Sequence, residues 1–141
     1  LLLHGVIEHF TLNTEQRRAF LLIATHLHHH DVLPMRMYLG GMGGTSKSRV
    51  LLALMDFLKA RKEAHRFIVL GPTGSSASLI GGSTYHSILG LSLPSEKKTS
   101  TITSLEKLRS RLLRVDLIFI DEVSMISCLD LFHINSRLCL A

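Results

Sequence analysis

The sequence predicts an α/β domain with a mainly parallel sheet flanked by helices. Helical and strand-like hydrophobic periods alternate along its 141 residues, and two short apolar runs have the composition of buried strands. A glycine-rich turn separates another predicted strand from a predicted helix, a connection typical of this class. With 46% hydrophobic and 19% charged residues, the chain is long enough for one compact core and too short for two ordinary domains.

The first predicted helix covers residues 14–29. Asn13 and Gln16 have the spacing of an N-cap residue and its reciprocal partner. Four apolar residues then recur at helical spacing: Phe20, Ile23, Ala24 and Leu27. Pro34 ends this pattern, because proline lacks the amide hydrogen that a helix interior requires. The apolar run 35–39 follows, and we expect a short strand that stops at the glycine-rich turn.

A second helix is predicted after the turn, and the two apolar runs follow it. One face of this helix carries Leu51, Leu54, Met55 and Leu58. Residues 67–70 and 117–120 are the apolar runs, and both suit the centre of a parallel sheet. Between them, the Ser-, Thr- and Lys-rich stretch 92–103 predicts an exposed loop before a short helix. That short helix carries Leu105, Leu108 and Leu112.

From Val123 onward the sequence predicts a last helix. Its apolar stripe consists of Cys128, Leu131, Ile134 and Leu138. The two cysteines of the chain, Cys128 and Cys139, are too few for a disulfide scaffold and are not spaced like metal ligands. We therefore expect both to be reduced and to serve packing.

The charge of the chain favours a polyanionic partner. Sixteen Lys and Arg residues against eleven Asp and Glu residues leave a formal net charge of +5, so nucleic acid is the leading candidate. No stretch approaches the roughly 18 apolar residues that a membrane helix needs, so a membrane protein is not expected. The chain begins at Leu1 rather than Met and ends at Ala141 within helix-like sequence, and we interpret it as a fragment of a longer protein.

The segment 41–48, GMGGTSKS, predicts a phosphate-binding loop. Glycines let backbone amides turn towards an anion, and the helix N-terminus adds partial positive charge. Lys47 would reach the β- and γ-phosphates, and Ser48 would hold Mg²⁺. The residues assigned to the nucleotide are Gly41, Gly43, Gly44, Thr45, Ser46, Lys47 and Ser48. The alternative is a glycine-rich turn that binds nothing.

Ser46 departs from the usual pattern, which has glycine immediately before the lysine. A Cβ at this position crowds an approaching phosphate, and it costs up to about 3 kcal/mol where the backbone needs a conformation reserved for glycine. The cost is small where the local backbone is compatible. Ser46 therefore bears directly on nucleotide affinity.

An acidic pair follows the second apolar run. Asp121 and Glu122 should emerge at the carboxyl edge of a buried strand, which is the edge where phosphate loops open. In phosphoryl transfer one carboxylate there holds Mg²⁺ and its neighbour deprotonates the attacking water. We assign Asp121 to the metal and Glu122 to the base. The alternative is a solvated strand end or a helix cap.

Four blocks in order resemble a known family: residues 12–16, 40–48, 71–77 with 81–91, and 120–126, IDEVSMI. The chain is similar to the first RecA-like domain of Pif-type DNA helicases, a superfamily-one family related to RecD, and especially to the branch encoded by Helitron transposons. The resemblance implies a partial P-loop NTPase domain over residues 1–141, with ATP and Mg²⁺ as cofactors. The family's second RecA-like domain, with its arginines, would lie beyond Ala141.

The resemblance also implies roles for individual residues. Gln16 would hydrogen-bond the adenine edge. Six residues would line a channel for single-stranded DNA: Thr73, Gly74, Ser75, Thr84, His86 and Ser87. Their hydroxyls and backbone amides suit phosphate contacts that ignore base identity, and the ring of Tyr85 or His86 would stack on a base. From the residues alone, this segment is equally well interpreted as a connecting loop.

The function implied by the resemblance is ATP-driven 5′ to 3′ movement on single-stranded DNA and unwinding at duplex junctions, in repair, recombination or telomere maintenance. The expected location is the nucleus, with the mitochondrion as the alternative. Two other interpretations stay open. One is a P-loop kinase for a small acceptor, although no acceptor pocket is visible in the sequence. The other is an inactive remnant of a mobile element that folds without turnover.

Two polar clusters have structural interpretations that compete with functional ones. His26, His28, His29 and His30 stand at a predicted helix end, where solvent contact is favoured over metal binding because Asp31 is the one acidic neighbour. The basic run Lys107, Arg109, Arg111 and Arg114 fits either contact with DNA or a solvated helix face paired with Glu106.

Overall fold

The computed structural model describes residues 2–28, 34–41, 47–79, 81–91 and 101–141. The chain divides into two compact units, Leu1–Arg66 and Phe67–Ala141. The predicted α/β class is confirmed, because the second unit contains a parallel sheet with helices against it. Among the residues just given, no helix is long and apolar enough to cross a membrane.

The first unit is helical where it is described. Its elements are α1 (Leu2–His9), α2 (Thr14–His26), α3 (Lys47–Ala60) and a 3₁₀ turn (Ala64–Arg66). The helix α3 packs against both α1 and α2. Phe20 of α2 and Phe57 of α3 meet edge to face, with ring centroids 5.9 Å apart, and each is at most 3% exposed. Of the apolar face predicted for α3, Leu51, Leu54 and Leu58 are buried, whereas Met55 is half-buried.

The start of α2 follows the prediction and its end does not. The Asn13 side-chain oxygen accepts from the Gln16 amide at 2.9 Å, and Oε1 of Gln16 accepts from the Asn13 amide at 3.0 Å. The helix ends at His26 rather than at residue 29, which lies outside the described residues. Leu27 turns into the core, and its carbonyl accepts from Nη2 of Arg66 at 2.9 Å. This contact satisfies a carbonyl that the ended helix leaves open.

The strand predicted over residues 35–39 is wrong. Residues 34–41 have no regular secondary structure, and Met37 and Tyr38 are 41% and 79% exposed. An apolar run becomes a strand only where neighbouring strands accept its backbone hydrogen bonds and cover its side chains, which local sequence does not determine.

The second unit carries the sheet. Its elements are β1 (Phe67–Gly71), α4 (Gly74–Leu79), β2 (Ser83–Thr84), α5 (Tyr85–Leu89), α6 (Thr101–Leu112), β3 (Leu117–Ile120), a 3₁₀ turn (Val123–Met125) and α7 (Cys128–Leu140). The strand order is β2-β1-β3, and both pairings are parallel. Phe67 pairs with Leu117, and Gly71 pairs with Thr84.

Both apolar runs predicted as strands are confirmed as strands, but only β1 is central. β1 has a neighbour on each side, whereas β3 pairs on one side within the described sheet and is half-buried throughout. Five buried residues from β1, α5, α6 and α7 form a hydrophobic core in this unit: Leu70, Tyr85, Leu89, Leu108 and Ile134.

The two later helices differ from the sequence prediction in extent and facing. α6 begins at Thr101, inside the loop predicted for residues 92–103. Residues 92–100 lie outside the described part. In α7 the buried position is Ile134, while Leu131 is 46% exposed. Cys128 and Cys139 are free, as predicted, but exposed, so neither serves packing.

The inner face of α7 explains that error. Asp130 and Arg137 lie on this inner face together with Ile134 and Leu138. Asp130 contacts α5, and Arg137 contacts both α5 and α6. Hydrophobic periodicity does not identify polar residues that face the protein interior. Of the predicted stripe, Ile134 and Leu138 lie on the inner face, whereas Cys128 and Leu131 are exposed.

Gly82→Ala should destabilise the second unit. A Cβ at Gly82 would lie 2.7 Å from the carbonyl oxygen of Val69 and 2.9 Å from the Cβ of Val69. Val69 belongs to the central strand β1, whose backbone is held by strands on both sides and cannot easily shift. We expect the free energy of unfolding to fall by about 1–3 kcal/mol. Gly74→Ala is the control, because its Cβ meets nothing within 4 Å. Chemical denaturation of both variants tests this, and equal midpoints would contradict the packing.

Candidate functional site

The described part of the predicted phosphate loop consists of Gly41, Lys47 and Ser48. Lys47 is the first residue of α3, and its Nζ donates to the Gly41 carbonyl at 3.0 Å. This bond brings the lysine side chain back to the start of the loop. Gly43, Gly44, Thr45 and Ser46 lie outside the described residues, so their nucleotide contacts stay predictions.

The start of α3 fits an anionic group. Its first turn contains no acidic side chain, so the partial positive charge of the helix N-terminus is not offset there. Ser48 is exposed, and the next turn is anchored by Val50, Leu51 and Leu54, none of which is exposed. The Lys47 ammonium and the Ser48 hydroxyl therefore lie at a helix N-terminus that buried residues hold in place. Such an arrangement suits a triphosphate with Mg²⁺.

Gln16 has a structural role in this structure. Its Oε1 completes the capping box with Asn13, and the residue is 9% exposed. The contact with adenine that the family resemblance implies stays a prediction. The capping box holds the side chain at the first turn of α2 in a defined position.

In the second unit, one edge of the sheet gathers the remaining predicted residues. Because all three strands are parallel, their carboxyl ends lie at the same edge. Thr73 follows β1, Thr84 ends β2, and Asp121 follows β3. The Asp121 amide donates to the Leu70 carbonyl at 2.9 Å, which extends the ladder between β3 and β1. The structure therefore brings the acidic pair and the predicted DNA contacts to a common edge.

The backbone of Glu122 is unusual. Its φ of 51° and ψ of 42° lie in the left-handed region, which costs a non-glycine residue about 1–3 kcal/mol. Its carbonyl accepts from the Met125 amide at 2.9 Å, and the side chain is exposed. Thr11, Lys62 and Arg114 share this positive φ but follow helices, whereas Glu122 follows a strand end beside the partly buried Asp121. Carboxylate oxygens are also the ligands that Mg²⁺ prefers.

Hydroxyl groups start the two helices at this edge. Oγ1 of Thr73 accepts from the Ser76 amide at 3.2 Å and lies 3.2 Å from the Ser75 hydroxyl. Oγ1 of Thr84 accepts from the Ser87 amide at 3.2 Å. Thr73, Gly74, Ser75 and Ser87 are exposed, and Thr84 is half-buried. These groups present a polar, uncharged surface that suits a phosphate backbone.

Of the two rings predicted as alternatives for stacking on a base, Tyr85 is not available. Its side chain is 4% exposed and belongs to the core, where its hydroxyl interacts with the Asp130 carboxylate. Burial and then the Asp130 charge raise the pKa of Tyr85. The half-buried His86 ring stacks on the Tyr85 ring at a centroid distance of 4.1 Å. His86 thus remains the candidate for contact with a base.

Two arginines bind the end of α5, a role that the sequence did not predict. Nη1 of Arg111 donates to the Ser87 carbonyl at 2.5 Å and lies 3.2 Å from the Ile88 carbonyl oxygen. Nε of Arg137 donates to the Leu89 carbonyl at 2.9 Å. In the basic run, Arg109 donates to the Leu140 carbonyl at 3.2 Å. Arg109 and Arg111 therefore bind helix ends, and no local pattern marks such long-range contacts.

The histidine cluster gains no support as a metal site. Nδ1 of His28 lies 2.9 Å from Nη1 of Arg61, a contact that joins the ends of α2 and α3. His29 and His30 lie outside the described residues. Across the described ranges, no group of three or more His, Cys, Asp or Glu residues is arranged to hold a metal ion.

Comparison with known proteins identifies the family. A family model described as PIF1-like helicase matches residues 11–137. The chain belongs to the PIF1-like helicase family. The match includes the predicted phosphate loop, the acidic pair and the predicted DNA segment, so the resemblance to Pif-type DNA helicases is confirmed. The Helitron branch stays a prediction. A P-loop RecA-like fold follows from this membership, in agreement with the parallel sheet.

Individual relatives support the same family. The ATP-dependent DNA helicase PIF4 of Trypanosoma brucei brucei is 33% identical over 120 residues, which is 82% of this chain and 13% of the relative. PIF1 of Emericella nidulans is 37% identical over 95 residues, 64% of this chain and 13% of the relative. Pif1 of Bdellovibrio bacteriovorus is 34% identical over 93 residues, 64% of this chain and 20% of the relative. No solved structure matches significantly.

Asp130→Asn should lower the pKa of Tyr85 towards its ordinary value of 10.0, because the carboxylate no longer disfavours the phenolate. Ultraviolet titration in a Tyr38→Phe background reports Tyr85 alone, since the chain has two tyrosines. Because the pKa of Tyr85 is higher in the folded than in the unfolded chain, its neutral phenol stabilises the folded state below pH 10.0. This contribution to the free energy of unfolding is lost as the pH rises through the folded-state pKa. An unchanged pKa in Asp130→Asn would show that the two groups do not interact.

Proposed function

We propose that this chain is the nucleotide-binding part of an ATP-dependent DNA helicase that couples ATP hydrolysis to movement on single-stranded DNA. The observation that carries the proposal is the start of α3, where Lys47 closes back onto Gly41 at a helix end without acidic residues. That arrangement lies inside a segment matched to PIF1-like helicases, and the curated relatives named above are DNA helicases.

The nucleotide roles divide between loop, helix and strand end. Lys47 would bind the β- and γ-phosphates, with backbone amides of residues 43–46 around them. Ser48 and Asp121 would hold Mg²⁺, which supplies charge neutralisation on the phosphate oxygens. Glu122 would orient and deprotonate the attacking water. Gln16 would contact the adenine.

The carboxyl edge of the sheet would bind single-stranded DNA. Thr73, Gly74 and Ser75 follow β1, and Thr84, His86 and Ser87 lie in or beside α5. Hydroxyls and amides there contact phosphates without reading sequence, and the net charge of +5 favours association with DNA. The His86 ring would supply one stacking surface.

The remaining properties are proposed for a longer protein. The chain spans 13% of the length of the Trypanosoma relative. We propose unwinding as an activity of the longer protein. We place the second RecA-like domain there, with 5′ to 3′ movement and action at duplex junctions. From the sequence resemblance we also propose that this longer protein is a Helitron-type helicase located in the nucleus. Its activity would serve repair, recombination or telomere maintenance.

Glu122→Gln should strongly slow hydrolysis while nucleotide binding remains. In the full-length protein that contains this chain, we expect DNA-stimulated ATP hydrolysis to fall by about 10²–10⁴-fold, because the base is lost but not the phosphate contacts. Glu106→Gln is the matched control, since Glu106 is exposed on α6. Hydrolysis by Glu122→Gln at the control rate would remove Glu122 from the chemistry.

Gly74→Ala should weaken DNA binding without weakening the fold. The added methyl group meets nothing within 4 Å in the protein, but it would stand where we place the DNA backbone. We expect an affinity loss for oligo-deoxythymidine of about fivefold, or about 1 kcal/mol. Gly5→Ala in α1 is the control, because its Cβ also meets nothing within 4 Å. Equal DNA affinities, measured by fluorescence anisotropy, would place the DNA elsewhere.

A further inference from the structure

The short helix α5 is held at its C-terminal end by two other helices. Arg111 of α6 binds the carbonyls of Ser87 and Ile88, and Arg137 of α7 binds that of Leu89. Gly90 ends α5 in the left-handed conformation, with its amide donating to the His86 carbonyl. Two guanidinium groups therefore bind the carbonyls of the last three residues of a five-residue helix, which stabilises it through hydrogen bonds and the helix dipole.

Arg137 makes a second contact that fixes its direction. Its Nη2 donates to the Ser104 hydroxyl of α6 at 2.7 Å while Nε donates to Leu89. The guanidinium is planar, so two bonds in different directions define its orientation. The side chain is partly buried, which strengthens both bonds relative to a solvated pair. Arg137 thus joins α5, α6 and α7 at one point.

At its other end, α7 is joined to the acidic pair. α7 begins at Cys128, shortly after Glu122. The 3₁₀ turn Val123–Met125 and two further residues lie between them. Ser127 caps the helix by accepting from the Asp130 amide at 3.0 Å, and its hydroxyl donates to the Asp130 carboxylate at 2.7 Å. That carboxylate interacts with Tyr85, the first residue of α5. α7 therefore contacts both ends of α5 and begins beside the acidic pair.

We propose that Arg137 is a positioning residue that couples the acidic pair Asp121–Glu122 to the DNA-contacting residues of α5. The inference rests on the proposed function. α7 and α5 move together because Ile134 and Leu89 pack in one core and Arg137 joins the helices. A displacement of the Glu122 segment on nucleotide binding is carried through α7 to α5 and changes how Thr84, His86 and Ser87 meet DNA.

The test measures linkage between nucleotide and DNA. The affinity of the chain for labelled oligo-deoxythymidine is determined with and without a non-hydrolysable ATP analogue and Mg²⁺, and the ratio of the two affinities is the coupling factor. We expect a factor of at least about fivefold in either direction for the wild-type chain. Arg137→Lys keeps the charge but cannot make both bonds, and its factor should fall to about twofold or less.

Matched variants separate coupling from stability. Arg111→Lys, at an exposed position, should reduce the factor in the same way, whereas Arg109→Lys should not, because Arg109 binds Leu140 and does not contact α5. Melting temperatures are recorded for all three variants. A role in stability alone would lower the melting temperature of Arg137→Lys and leave its coupling factor at the wild-type value.

Each result bears on a different claim. The inference is supported if the wild-type chain shows coupling, if Arg137→Lys and Arg111→Lys lose it, and if Arg109→Lys keeps it. Coupling that survives in folded Arg137→Lys, or a wild-type chain that binds both ligands without coupling, overturns it and leaves the proposed function standing. A folded wild-type chain that binds neither ligand overturns the proposed function and, with it, the inference.

Discussion

The parallel pairing of β1 with both of its neighbours is the constraint on which the second unit depends. Because β2 and β3 run in the same direction as β1, the residues that follow each strand meet at a single edge. Thr73, Thr84 and Asp121 reach that edge from distant parts of the sequence. Gly82 lies so close to Val69 that a side chain there would disturb the central strand. The arrangement of the candidate site therefore follows from backbone hydrogen bonds.

Features that depend on near neighbours were predictable from the sequence. The capping box of Asn13 and Gln16 spans one helical turn, and the apolar period of α3 needs no distant partner. The strand expected at residues 35–39 failed because a strand depends on partners elsewhere in the chain. Arg137 was missed for the same physical reason, since its contacts with Leu89 and Ser104 are long-range. The acidic pair was found because its position after an apolar run is itself local.

The candidate site combines rigid support with exposed chemistry. Tyr85 and Leu89 anchor α5 in the core, while Ser87 on the same helix is exposed. Glu122 stands in a strained conformation immediately after a paired strand. Such placement keeps reactive groups accessible without leaving their backbone loose.

The proposed function depends most on the segment 41–48 being a working phosphate loop. The most direct measurement is Mg²⁺-dependent binding of a labelled ATP analogue to this chain, beside Lys47→Ala and Ser46→Gly. We expect binding to be lost in Lys47→Ala, which lacks the phosphate-binding ammonium, and to be strengthened in Ser46→Gly, where no Cβ crowds the phosphates. A folded wild-type chain that does not bind, with no rescue by Ser46→Gly, would contradict the claim and favour an inactive remnant.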